Sequence, residues 1–148
     1  MHSILVVDDE ASIRELLGRW LEAGGYEVRE ADTAERALDV MAERAAIVVM
    51  CDIEMPGNGG IWLADQLRQR YPVSAMVLAT ALDTVPPVTS MKSGIVEYLV
   101  KPFVRTRVLE AVAAGVAWHA AAAERLLHPE PERDSIAAWL DSSIDPEE

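Results

Sequence analysis

The sequence predicts an α/β protein: a doubly wound, five-stranded parallel sheet in a three-layer α/β/α arrangement, with an extended C-terminal helix. Two observations carry this. Short apolar, β-branched runs alternate five times with segments whose apolar residues recur at helical spacing. Most of those runs are apolar throughout, as strands buried on both faces are. A third observation concerns chemistry: the first, third, fourth and fifth runs stop at Asp8-Asp9, Asp52, Thr80 and Lys101.

Ser3 to Val7 is the first strand and ends at Asp8-Asp9-Glu10. Ile13, Leu16, Leu17, Trp20 and Leu21 form a helical stripe, closed by Gly24-Gly25. Tyr26 to Ala31 is a more polar second strand. Thr33 caps a helix whose apolar face carries Ala37, Leu38 and Met41. Ile47 to Met50 is a third buried strand, running into Cys51-Asp52. Pro56-Gly57-Asn58-Gly59-Gly60 is a loop, loosened by its glycines. A helix from Ile61 to Tyr71 follows, with Ile61, Leu63, Ala64 and Leu67 on one side. Ala75 to Ala79 is the fourth strand and ends at Thr80. Pro86-Pro87 opens a short fourth helix closed by Gly94. Ile95 to Val100 is the fifth strand, ending at Lys101-Pro102, and a last helix runs from Arg105 to Leu127.

In a doubly wound sheet the ligand site lies outside the carboxyl ends of the strands, where the strand order reverses. Asp8, Asp9, Asp52, Thr80 and Lys101 all follow strands and converge there. Three crowded carboxylates repel unless a cation lies among them. Oxygen ligands of this kind favour Mg²⁺. A lysine ammonium and a threonine hydroxyl are suitable donors to phosphoryl oxygens. Together the set suits phosphoryl transfer to an aspartate. Simpler readings exist for each residue. Asp8 and Asp9 also qualify as helix caps, Asp52 as a turn residue, Thr80 and Lys101 as solvated loop residues. Convergence at one edge favours the chemical reading.

The chain has 148 residues and a formal net charge of −12, with 51% apolar and 26% charged residues. That length suits one domain with a real core. The acidity argues against direct nucleic-acid binding, which needs clustered Lys and Arg. No apolar run is long enough to span a membrane, and the N-terminus MHSILVVDDE lacks the features of a signal peptide. The single cysteine, Cys51, excludes an internal disulfide and points to a cytoplasmic protein. It reads as a small buried hydrophobe facing away from Asp52. His2, His119 and His128 show no metal-ligand spacing and are expected on the surface. Met50, Met55 and Met76 are expected to fill the core.

From Ser3 to Ala120 the chain resembles the receiver domains of two-component response regulators, the CheY-like family with its flavodoxin-like (βα)5 fold. Four motifs carry the resemblance: Ile4-Leu5-Val6-Val7-Asp8-Asp9-Glu10; Asp52-Ile53-Glu54-Met55-Pro56-Gly57 with Gly60; Ala79-Thr80-Ala81; and Tyr98-Leu99-Val100-Lys101-Pro102-Phe103. The resemblance implies that Asp52 accepts a phosphoryl group from the phosphohistidine of a sensor histidine kinase or phosphotransfer protein. It implies Mg²⁺, with Mn²⁺ as an alternative, held by Asp9, Asp52 and the backbone carbonyl of Glu54, with Asp8 assisting. It implies that Lys101 pairs with Asp52 and then with the phosphoryl group, that Thr80 and Tyr98 act as switch residues, and that Lys101-Pro102 is cis. Readout is implied at the face built from the fourth helix, fifth strand and last helix.

The chain departs from the family at Gly59, where an acid is common, and at Ile95, where alanine is common. Glu54 and Leu82 are expected to border the path of attacking water. The last helix is too long for a bare receiver, so a receiver at 1–121 and a helical, acidic extension at 122–148 are expected. That extension serves dimerisation or leads to an output domain. Asp134 or Ser135 is read as capping a short helix with Ile136, Ala137, Trp139 and Leu140. Two other functions compete with this module, which is not an enzyme beyond its own phosphoryl transfer and autodephosphorylation. One is an Mg²⁺-dependent phosphatase or phosphotransferase with an aspartate nucleophile. The other is a degenerate receiver used as a constitutive binding module.

Overall fold

The computed structural model describes residues 1–81 and 94–128. Its elements in chain order are β1 (Ser3–Val7), α1 (Ala11–Ala23), β2 (Glu27–Ala31), α2 (Ala34–Glu43), β3 (Val48–Asp52), α3 (Gly60–Arg70), β4 (Ala75–Thr80), β5 (Ile95–Val100) and α4 (Arg105–Leu127). The short helix expected between Thr80 and Gly94, like the capped helix expected near Trp139, lies outside the described residues.

The five strands form one parallel sheet in the order β2-β1-β3-β4-β5. Their side chains divide by the two-residue period of a strand. Leu5, Val7, Val49, Cys51, Met76 and Leu78 face one way and pack against α2 and α3 through Ala37, Met41, Leu63 and Leu67. Ile4, Val6, Val48, Met50, Val77 and Ala79 face the other way and meet α1 and α4 through Leu17, Leu21, Val108 and Val112. Every residue of β1, β3 and β4 is buried. This is why these strands read as unbroken apolar runs.

The helix ends follow local chemistry. Thr33 Oγ1 accepts from the Arg36 amide at 2.9 Å and caps α2. Gly24 ends α1, and Gly25 takes the left-handed φ of +95° beyond it. Neither Asp8 nor Asp9 is the N-cap of α1: that position is Glu10, without a side-chain cap. Asp8 instead accepts the Glu10 amide in the preceding turn. α4 approaches β3 so closely that a Cβ on Gly115 would lie 2.9 Å from Val48 Cγ2.

The sheet order reverses between β1 and β3, since β2 lies on one side of β1 and β3, β4 and β5 on the other. Asp8 follows β1 and Asp52 ends β3, so both acids stand at that reversal.

Candidate phosphoryl-acceptor site

The register of the sheet sets the site. Asp52 pairs with Ala79 across β3 and β4, and Thr80 pairs with Val100 across β4 and β5. The Lys101 amide donates to the Thr80 carbonyl at 2.8 Å, which carries Lys101 to the same edge. The Lys101-Pro102 peptide is cis, as expected.

Lys101 Nζ donates to Asp52 Oδ2 at 3.0 Å and to Asp8 Oδ2 at 3.2 Å. The carboxylates are nearly closed to solvent, with side chains 7% and 3% exposed. Burial pulls the Lys101 pKa down, but the hydrogen bond and charge of Asp52, with those of Asp8, outweigh it and raise it above its ordinary value. The ammonium stays charged between two acids that would otherwise repel.

Each acid is also held by backbone. The Glu10 amide donates to Asp8 Oδ1 at 2.9 Å, and the Glu54 amide to Asp52 Oδ1 at 3.1 Å. These bonds leave one oxygen of each carboxylate facing Lys101. Asp9 is exposed. Carboxylate oxygens of Asp8, Asp9 and Asp52 lie within 4.8 Å of one another, as one cation would require. This all-oxygen donor set suits a hard divalent ion. Glu54 is exposed and its amide is turned to Asp52.

Thr80 is 1% exposed and ends β4 at this edge. Tyr98 pairs with Leu78 within the sheet and packs on the α2–α3 side of the core. Its hydroxyl is buried without a hydrogen-bond partner among the described residues, and burial pushes its pKa up.

Three features escaped the sequence reading. Arg14 donates to the Asp8 backbone carbonyl at 2.7 Å and pairs with Glu30 at 3.1 Å, so it braces the turn that bears Asp8. The only sequence sign of it is a cation one turn into the helix after the acids. Second, two glycines of the loop are required by close backbone approach. A Cβ on Gly59 would overlap the Ile53 carbonyl, and one on Gly60 would lie 2.8 Å from the Asp52 carbonyl. Asn58 Nδ2 donates to Glu35 across to α2 at 2.5 Å. Third, His119 is half-buried rather than at the surface, with Nδ1 2.8 Å from the Val73 carbonyl. Cys51 is buried, and its thiol donates to the Asp52 carbonyl at 3.2 Å. Burial, then the charges of Asp52 and Asp8, push its pKa well above the ordinary value.

Residues 4–113 match the family model for the response regulator receiver domain. The chain is 40% identical over 111 residues to the response regulator protein FleR of Pseudomonas aeruginosa, covering 74% of this chain and 24% of that protein. It is 35% identical over 100 residues to the transcriptional regulatory protein ResD of Bacillus subtilis, covering 68% of this chain and 42% of ResD. It thus spans less than half the length of either relative. Among solved structures, it is similar to the response regulator protein TrrA of Thermotoga maritima in complex with Mg²⁺ and BeF. The TM-score there is 0.71 at 36% identity, covering 78% of this chain and 99% of that one.

Proposed function

The chain belongs to the response regulator receiver domain family, and from that premise we propose that Asp52 carries the phosphoryl group of this phosphorylatable two-component receiver. One observation carries the assignment: Lys101 bridges Asp52 and Asp8 while Asp9 stands beside them within metal-ligand distance. Of the three acids, Asp52 is the one at the end of the central strand β3.

Asp8, Asp9 and Asp52, with the backbone carbonyl of Glu54, would hold Mg²⁺, or Mn²⁺ in its place. When bound, the ion supplies positive charge against the phosphoryl oxygens. The remaining chemistry belongs to the chain. A carboxylate oxygen of Asp52 forms the O–P bond while the P–N bond of a kinase or phosphotransfer-protein phosphohistidine breaks, and the electron pair leaves on the imidazole nitrogen. Lys101 offsets the charge of the transferred group, and the Thr80 hydroxyl donates to it. Tyr98, whose buried hydroxyl has no hydrogen-bond partner among the described residues, follows Thr80 as the second switch residue.

The module acts through its phosphorylated state; its own chemistry is phosphoryl transfer and autodephosphorylation. We assign the receiver to 1–121 and a helical, acidic extension to 122–148, serving dimerisation or linkage to an output domain. Self-association would use either the face of β5 and α4, with the short helix the sequence predicts before Gly94, or the end of α4. Among the described residues no helix is long and apolar enough to cross a membrane. The net charge of −12 supports a module without direct nucleic-acid contact, and the single cysteine supports a reducing, cytoplasmic setting.

Incubation with acetyl phosphate and Mg²⁺, read by intact mass, tests this. One added phosphoryl group, lost in Asp52→Asn, is expected. Steady hydrolysis of unrelated phosphate esters would favour an aspartate-nucleophile phosphatase, and absence of any adduct a constitutive binding module.

A further inference from the structure

A second concavity lies at the opposite edge of the sheet from the acids. It is a groove of about 370 Å³ between α3, the turn before β4 and the far end of α4, lined by Arg68, Pro72, Val73, Trp118, Arg125 and Leu126 among others. Among the described residues its charged lining is arginine alone, in a chain of net charge −12.

The groove is built. The Arg68 guanidinium lies 5.4 Å from the centroid of the Trp118 ring and donates to the carbonyls of Pro72 at 3.0 Å and Ser74 at 2.5 Å. Burial lowers its pKa, and two of its five N–H donors are used by these carbonyls among the described residues. Leu126 and Leu127, on the last turn of α4, are 65% and 74% exposed. The helix thus ends in an apolar tip beside two cations.

We propose that this groove is the docking site for the chain's own residues 129–148. Three observations choose that occupant. The segment follows His128 directly, at the end of the helix that lines the groove. It carries seven acidic side chains against one arginine, which complements Arg68 and Arg125. It holds Ile136, Trp139 and Leu140, apolar residues that match Trp118, Val73 and Leu126. Reach is not limiting. Trp139 is eleven residues beyond His128, an extended span of up to about 36 Å. The helix from Arg125 back to Trp118 spans only about 10 Å.

The seated segment would cover the apolar tip of α4 and tie the extension to the sheet edge where β4 and β5 begin. Extension and receiver then move together rather than as a free tether.

The test attaches a nitroxide to the full chain at Ser142→Cys, with Cys51, buried at 0% exposure, spared. Paramagnetic broadening is then read at the Val73 and Arg125 amides and the Trp118 indole N–H. Loss of these cross-peaks, independent of protein concentration and reversed by Trp139→Ala or Arg125→Glu, is the expected result. A Cys51→Ala background gives the same reading without the native thiol. Unbroadened peaks overturn the proposal. So does broadening that appears between labelled and isotopically enriched molecules in a mixed sample, which would assign the groove to a second copy.

Discussion

Lys101 and Asp52, 49 positions apart in the chain, meet at 3.0 Å at the carboxyl edge of the sheet, and the same ammonium reaches Asp8 at 3.2 Å. One cation is shared by two buried acids, so its removal leaves both charges facing each other. Lys101→Met is expected to destabilise the metal-free chain by about 2–3 kcal/mol, the cost of stranding a buried charge partner. Urea unfolding with and without Mg²⁺ checks this: the loss should shrink when the ion is present, since it replaces the missing positive charge. Adduct formation with acetyl phosphate should slow about tenfold or more, as loss of an electrostatic partner does.

Asp9 offers a carboxylate to the same cluster but no bond to Lys101 is seen among the described residues. Asp9→Asn should therefore leave the metal-free fold within about 0.5 kcal/mol of the parent, as surface changes usually do. It should nonetheless abolish most of the rise in melting temperature that Mg²⁺ produces. Differential scanning fluorimetry across an Mg²⁺ series, with EDTA as the zero point, separates the two effects.

The glycine loop beside Asp52 yields a contrast. Gly57 has φ +78° with open space around it, so Gly57→Ala should cost about 1–2 kcal/mol from backbone strain alone. Gly59→Ala meets the Ile53 carbonyl and must displace the backbone that presents Glu54 to Asp52. It is expected to cost more, about 2–3 kcal/mol, the upper range for overpacking, and to slow phosphorylation as well. Gly57→Ala should leave the phosphorylation rate near that of the parent.

Alkaline pH should destabilise the protein through three titratable groups. Burial raises the Cys51 thiol well above 9.0 and the Tyr98 phenol above 10.0. For Lys101, burial acts downward, but the bonds and charges of Asp52 and Asp8 prevail and raise it above 10.5. In all three the unfolded chain releases its proton at lower pH than the folded chain. Their contributions are full below those ordinary values and are lost as pH rises through the folded ones. Urea midpoints should hold up to about pH 9 and then fall, and Cys51→Ala should delay the onset.

The strand runs and the helical stripes were legible because each depends on neighbours a few residues away. Val48 to Asp52 had to be buried on both sides to read as it does, and it is. Thr33 capped α2 as its position implied. The convergence of Asp8, Asp52, Thr80 and Lys101 followed from strand alternation and the rule for sheet edges. Residue-level distances did not follow from it. The sequence reading counted the loop's glycines for their freedom; at Gly59 and Gly60 their lack of a side chain also lets two backbone segments touch, which no local pattern shows.

By itself, then, the sequence determined the order of elements, the two-sided burial of the central strands and the set of polar residues at their ends. These are consequences of periodicity and of where apolar runs stop. Tertiary structure alone decided that one lysine is divided between two acids, that Arg14 braces Asp8 from behind, and that Arg68 lies against Trp118 at the far edge. The reason is range. Lys101 stands 93 residues from Asp8, and no local pattern encodes a contact that exists only once β1, β3 and β5 share a sheet.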